Sequence, residues 1–96
     1  MHYLVIDAFV GGTGLRDYYE GGYIEPEHLS LSLETKERIV KWLSNYHDEF
    51  YKGFKNKQFV DELDEEGKVI ALLVKKELLE AKVTYFSDAK MIQMPI

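Results

Sequence analysis

The first apolar run of the chain, HYLVIDAFV at residues 2 to 10, has the β-branched and aromatic composition of a buried strand. The run stops at Gly11 and Gly12, where the chain is free to turn. A strand sends successive side chains to opposite faces of its sheet. Two sets of side chains are therefore expected on opposite faces: Tyr3, Val5, Asp7 and Phe9, and Leu4, Ile6, Ala8 and Val10.

A glycine-rich segment follows this strand. Five glycines stand between residues 11 and 25, and this density disfavours any long helix or strand. The pattern predicts a loop that contains at most a turn of helix at residues 15 to 19 or a short strand near residues 23 and 24.

A helix is predicted next, from about Leu33 to Lys52, because apolar residues recur there at steps of three and four. Ser32 is a suitable N-cap for it, and Gly53 is a suitable C-terminal stop. Trp42 lies off the centre of the apolar stripe. We expect this side chain at the edge of the stripe, which leaves open whether it belongs to the core or the surface.

A second helix is predicted from Glu65 to about Leu79, after a connector at residues 55 to 63. Asp64 is placed as its N-cap, with acids in the first turn and lysines near the end, as the helix dipole favours. Two strands follow at residues 82 to 87 and 90 to 96. Pro95 indicates that the last strand lies at a sheet edge, since proline cannot donate to a neighbouring strand.

The predicted order is strand, helix, helix, strand, strand. Amphipathic helices must bury their apolar stripes, and a sheet with one apolar face is the available partner. We therefore expect an α+β, two-layer sandwich in which two helices pack on one face of a three-stranded mixed sheet. A chain of 96 residues has the size of a single globular domain.

Composition excludes several functional classes. The chain has no cysteine, which rules out disulfide scaffolds, thiolate zinc sites and cysteine nucleophiles. Its net charge is -5, which argues against nucleic acid and membrane surfaces as partners. No segment has the features of a signal peptide or the length of a membrane span, so we expect a soluble, cytoplasmic protein.

The negative charge is concentrated in the first third of the chain. Residues 1 to 33 carry a charge of -4, and residues 15 to 28 combine tyrosines and acids between glycines. Tyrosine is enriched at binding hot spots, and acids steer a basic partner. The alternative, in which the tyrosines cover the sheet and the acids only solvate the loop, stays open. The candidate partner-binding residues are Asp17, Tyr18, Tyr19, Glu20, Tyr23 and Glu25.

Enzymatic motifs are weak. The Gly12-Thr13-Gly14 turn has neither the dinucleotide fingerprint nor a Walker lysine, and its acidic surroundings repel phosphate. The three histidines are far apart and form no metal-ligand pattern. Asp7, an acid within an apolar strand, is interpreted mainly as a structural residue paired with Lys82, Arg16 or a backbone amide. No catalytic residue, metal or cofactor is assigned.

The sequence also carries a resemblance. The segments DAFVGGTGLRDYYEGGYIEPEHLSLS, KWLSNYHDEF, LDEEGKVIALLVKKEL and VTYFS resemble a group of small uncharacterised bacterial cytoplasmic proteins. In size, acidity and α/β make-up the chain is similar to the immunity proteins of bacterial toxin systems, including contact-dependent inhibition. The resemblance implies a protein that binds a cognate toxin, often a basic nuclease, and covers its active site.

These observations favour a non-enzymatic, immunity-like inhibitor of a basic toxin. Two alternatives remain at this point. One is a small metal-dependent nuclease or phosphohydrolase built on Asp7, and the other is a homodimeric structural module that pairs through the edge strand at residues 90 to 96.

Overall fold

The computed structural model describes residues 3–96, which form a sheet with two long helices packed against one of its faces. The α+β class and the two-layer arrangement are thereby confirmed. Met1 and His2 lie outside the described residues, so the predicted start of the first strand is not covered. The elements in chain order are β1 (Tyr3–Ile6), β2 (Leu15–Asp17), a 3-10 helix (Pro26–His28), α1 (Leu33–Tyr51), α2 (Lys57–Glu77), β3 (Lys82–Ser87) and β4 (Ile92–Met94).

The sheet is mixed and has the strand order β2-β1-β3-β4. β1 is parallel to β3, while β2 and β4 are antiparallel to their neighbours. β4 is an edge strand, as Pro95 indicated. The predicted alternation along β1 is confirmed, because Leu4, Ile6 and Ala8 lie in the hydrophobic core.

The prediction of three strands was wrong, because a fourth strand, β2, forms within the glycine-rich loop. It pairs with Leu4, Val5 and Ile6 of β1, and a bridge to Tyr23 follows on its other side. No helical turn forms at residues 15 to 19. Three residues among five glycines are too few to show an alternating pattern, so only pairing with β1 reveals this strand.

α1 begins after Ser32, whose hydroxyl accepts a hydrogen bond from the Thr35 amide, so the predicted cap is confirmed. Trp42 is a core residue, only 2% exposed, and its indole donates to the Leu63 carbonyl at 2.9 Å. The expected edge position was therefore wrong. The buried face of α1 is rotated around the helix axis relative to the predicted apolar stripe. Phe50, near the end of the helix, is therefore exposed.

α2 begins at Lys57, eight residues earlier than predicted, and Asn56 caps it through the Phe59 amide. Asp64 is not a cap but an interior residue of α2, 1% exposed and facing the sheet. Gly67, in the same helix, lies directly under the ring of Tyr85, where any β-carbon would overlap that ring. The close contact between α2 and β3 therefore requires glycine at this position.

Candidate functional site

Three tyrosines form an aromatic cluster at the β2 edge of the sheet, on the face opposite the helices. The rings of Tyr3 and Tyr18 stack with their centroids 4.2 Å apart, and Tyr19 meets both rings edge-on. Tyr19 is 78% exposed, and Tyr18 is also exposed. A supported but uncovered aromatic cluster of this kind is typical of protein-binding surfaces.

The turn after β2 holds this cluster in place. The Asp17 carboxylate accepts hydrogen bonds from the backbone amides of Tyr19 at 2.9 Å and Glu20 at 2.8 Å. Gly21, with a φ of 77°, lets the chain reverse. We call Tyr3, Asp17, Tyr18, Tyr19 and Glu20 the tyrosine surface.

Two of the six candidate binding residues lie apart from this group. Glu25 is exposed just before the 3-10 helix. Tyr23 turns inward, and its ring lies over Gly12. Its hydroxyl donates to Asp7 at 2.9 Å. Burial, together with the hydrogen bond to Asp7 and its charge, raises the pKa of Tyr23 well above its usual range.

Asp7 is buried and fully engaged by neighbours. Its carboxylate meets the Arg16 guanidinium at 2.7 Å and accepts the Tyr23 hydroxyl on its other oxygen. Burial opposes the charge on Arg16, but the hydrogen bond and the charge of Asp7 together raise the pKa of Arg16 above its ordinary value. The predicted pairing of Asp7 with Arg16, one of the partners considered, is confirmed.

This pairing bears on the metal-dependent alternative. Both oxygens of Asp7 are already occupied, and residues 3–96 contain no group of three His, Asp or Glu side chains able to hold a metal ion. His47 serves a structural contact instead, with its Nε2 3.0 Å from the Ala8 carbonyl oxygen. The geometry therefore gives no support to a nuclease centred on Asp7.

Beside Asp7 the structure contains a cleft of about 440 Å³ that sequence reasoning missed. It lies where β1 and β3 end, and the last turn of α1 closes one side. Phe9, Phe50 and Met91 are exposed at its walls. We call it the aromatic cleft, lined by Asp7, Phe9, Val10, Arg16, Tyr23, Phe50, Phe54, Phe86, Asp88 and Met91.

Asp88 is the second acid of the aromatic cleft, and the sequence suggested only a hairpin turn there. Burial, followed by the charge of Asp7, raises the pKa of Asp88 to about 6, while Arg16 and His47 oppose this shift. A signal for its location was available, because Asp88 follows β3 on the same alternating face as Thr84 and Phe86. That signal has meaning only once β1 and β3 are known to be parallel neighbours.

A buried polar network anchors the turn that carries Asp88. The Asp64 carboxylate accepts hydrogen bonds from Tyr46 at 2.9 Å, Tyr85 at 2.6 Å and Ser87 at 2.8 Å. Burial raises the pKa of Tyr46 to about 12, although its hydrogen bond with Ser87 opposes this shift. Burial and the hydrogen bond to Asp64 raise the pKa of Tyr85 above its usual range.

Comparison of the sequence with known protein families assigns the chain to a family. The sequence matches the Serratia CdiI immunity protein-like family over residues 11–88, which is most of the chain. The chain belongs to that family. The matched region contains β2, both long helices, β3, the turn of the tyrosine surface and Asp88. A comparison with curated proteins found no match.

Membership in the Serratia CdiI immunity protein-like family indicates a toxin-neutralising immunity protein, with a toxin as its partner. The resemblance to immunity proteins of contact-dependent inhibition systems is thereby confirmed. Within residues 3–96, neither long helix has the apolar length needed to cross a membrane.

Proposed function

We propose that this immunity-like protein binds a basic, nuclease-type toxin in the bacterial cytoplasm and inhibits it through the tyrosine surface and the acids next to it. The observation that carries the proposal is the exposed cluster of Tyr18 and Tyr19 supported by Tyr3. Rigid aromatic side chains supply contact area at low conformational cost, and for this reason they dominate binding hot spots.

The charge around this cluster supports a basic partner. Arg16 is the only cation among residues 1 to 33, and it is paired with Asp7. The remaining acids of this third, none of which has an ion pair within residues 3–96, therefore give the loop its negative charge. Such a field accelerates association with a cationic protein. These acids are Asp17, Glu20, Glu25 and Glu27.

The size of the surface supports the same proposal. Tyr3 and Asp7 lie on one face of the sheet, about 13 Å apart at the usual rise along a strand. The tyrosine surface and the aromatic cleft therefore fit within one interface of standard size, roughly 800 Å² on each partner. Tyr23 and Glu25 belong to this proposed interface through the loop that joins the two regions.

The test is protection of cells and binding in solution, with the toxin domain encoded by the neighbouring gene. Wild-type protein should rescue growth when co-expressed, and Tyr19→Ala should weaken binding by about tenfold or more, as expected for a hot spot. Leu72→Ala is the control, because Leu72 is 50% exposed but lies on α2, away from both the tyrosine surface and the aromatic cleft. Absence of rescue by the wild-type chain, or equal losses in both variants, would refute the proposal.

Pairing of two copies through residues 90 to 96 stays a prediction. β4 is an edge strand, and Ile92 beside its turn is exposed. Sedimentation at several protein concentrations tests it, and a monomer at all concentrations would exclude the homodimer.

A further inference from the structure

The aromatic cleft contains one carboxylate that forms no ion pair with any of residues 3–96. Of the two acids in its lining, Asp7 is neutralised by Arg16 at 2.7 Å. Asp88 forms no ion pair and accepts no side-chain hydrogen bond within the part of the chain that the structure describes. The two acids and one cation leave the cleft with one unbalanced negative charge.

The position of Asp88 is nevertheless tightly defined by its neighbours in the turn. Ser87 donates to the buried Asp64 at 2.8 Å, and the amide of Ala89 donates to the Tyr46 hydroxyl at 3.0 Å. Lys90, on the other side, forms an ion pair with Asp61 at 2.6 Å. The structure therefore anchors the backbone around Asp88 and aims an unpaired carboxylate into the cleft, which is the preorganisation that a binding site requires.

The charged form of this unpaired carboxylate is disfavoured. Burial and the charge of Asp7 raise the pKa of Asp88 to about 6. At neutral pH the group is still ionised. An incoming cation would relieve both causes, because it would restore the lost solvation and offset the charge of Asp7.

We propose that the aromatic cleft receives one basic side chain of the toxin, an arginine or lysine whose cationic group pairs with Asp88. Its aliphatic stem would pack against Phe9, Phe50 and Met91, which form exposed walls of the cleft. Aromatic faces also attract cations directly, and arginine can pair with a carboxylate while stacking on a ring. This assignment rests on the proposed inhibitor function and specifies what the partner presents to the cleft.

The volume and location of the cleft fit this occupant. A cleft of about 440 Å³ lies within the range of pockets that bury a ligand or an anchoring side chain. Interface anchors commonly enter such pockets, and a charge pair that is shielded there from water contributes more than one at the rim. The cleft therefore supplies specificity beyond the general attraction of the acidic loop.

The decisive variant is Asp88→Asn in the full chain, because a binding carboxylate and a structural one respond in opposite ways. We expect the Kd for the toxin domain encoded by the neighbouring gene to rise about tenfold or more. We also expect the melting temperature of the free protein to rise by about 4 °C, since an unfavourable charge is removed. Glu62→Gln, the same chemical change at an exposed site on α2, should alter neither quantity.

A double-mutant cycle identifies the toxin residue. Each arginine and lysine of the toxin that lies in the interface is changed to alanine and measured against wild type and Asp88→Asn. The proposal expects one basic residue whose removal weakens binding to wild type about tenfold but has little further effect on Asp88→Asn. Absence of any such residue would overturn it.

Other outcomes would also overturn the cation assignment. Tight binding by Asp88→Asn together with a loss in Phe50→Ala would show an apolar occupant, and a lower melting temperature of Asp88→Asn would show a structural carboxylate. A wild-type dimer that Asp88→Asn dissociates would show a second copy of the chain. If the wild-type chain fails to bind the toxin at all, the inhibitor function itself fails, which is a result distinct from these.

Discussion

The phenol of Tyr85 donates a 2.6 Å hydrogen bond to the carboxylate of Asp64, and both side chains are buried between α2 and the sheet. Tyr46 and Ser87 donate to the same carboxylate. A single acid on α2 therefore ties together α1, β3 and the turn that carries Asp88. Three hydroxyl donors converge on this carboxylate, and the ammonium of Lys90 at the surface lies 3.4 Å from it.

We predict that Asp64→Ala lowers the free energy of unfolding by about 3 kcal/mol or more, because it removes the carboxylate to which three buried hydroxyl groups donate. Chemical denaturation measures the loss. Asp61→Ala is the control, since Asp61 is exposed and its ion pair with Lys90 contributes little, under about 1 kcal/mol. Equal losses in the two variants would contradict a structural role for the Asp64 network.

We predict that Gly67→Ala destabilises the protein, although alanine is the better helix former by about 1 kcal/mol. The new methyl group would overlap the Tyr85 ring, and overpacking of this kind costs about 1 to 3 kcal/mol. Thermal unfolding measures the net change. Ser44→Ala, at an exposed position on α1, should be neutral or slightly stabilising. A more stable Gly67→Ala protein would show that α2 and β3 are farther apart than in the structure.

We predict a pH dependence of stability that disappears in Asp88→Asn. Because folding raises the pKa of Asp88 from 3.8 to about 6, the folded state holds its proton more tightly. The free energy of unfolding should therefore fall as pH rises from about 4 to about 6 and then level off. Since Asp88 is partly solvated, we expect the loss to be about 1 kcal/mol, less than the pKa displacement alone implies.

The measurement compares denaturation of wild type and Asp88→Asn across this range. The charged groups around Asp88 are Asp7 before the loop, Arg16 on β2, His47 on α1 and Asp64 on α2. Repeating the comparison in a His47→Gln background measures how much the imidazole contributes to the shift at Asp88. A difference between the two proteins that does not change with pH would contradict the prediction.

We predict that salt slows association with the toxin much more than it accelerates dissociation. Raising the ionic strength from about 0.05 M to about 0.5 M should lower the association rate constant by about tenfold, since the loop acids act through a screened field. Glu20→Lys with Glu25→Lys should reduce this sensitivity. Glu62→Lys with Glu80→Lys is the control pair, at exposed sites within and after α2, and should preserve more of the salt sensitivity of association. Stopped-flow mixing provides the rates, and salt-independent association would contradict a steering role.

Local pattern predicted several elements because their signals lie within a few residues. The Ser32 cap and the step of three and four defined α1, and the apolar segment at residues 82 to 87 defined β3. The partner of Asp7 was also predictable, since an acid in an apolar strand requires a cation or donor and Arg16 was among the few available. In each of these cases the local pattern agreed with the tertiary fold.

The misplaced elements are those whose local signal was contradicted by packing. Asp64 followed by two glutamates has the sequence of a helix N-terminus, yet the residue faces Tyr85 in the interior of α2. Trp42 lay off the apolar stripe but is buried, and its indole donates a hydrogen bond to the Leu63 carbonyl. β2 had no periodic signal, because a three-residue strand is stabilised by its partner and not by its own composition.

The sequence by itself determined the α+β class, the acidic first third and the grouping of tyrosines with acids between glycines, because these follow from composition and short-range periodicity. Only the tertiary structure decided that Tyr18 and Tyr19 stay exposed while Tyr23 turns inward to Asp7. It also decided that Asp88 lies in an aromatic cleft beside that acid. The physical reason is that burial and charge pairing depend on contacts between distant segments. Antiparallel pairing of β2 with β1 brings Tyr23 to Asp7, and parallel pairing of β1 with β3 brings Asp88 there.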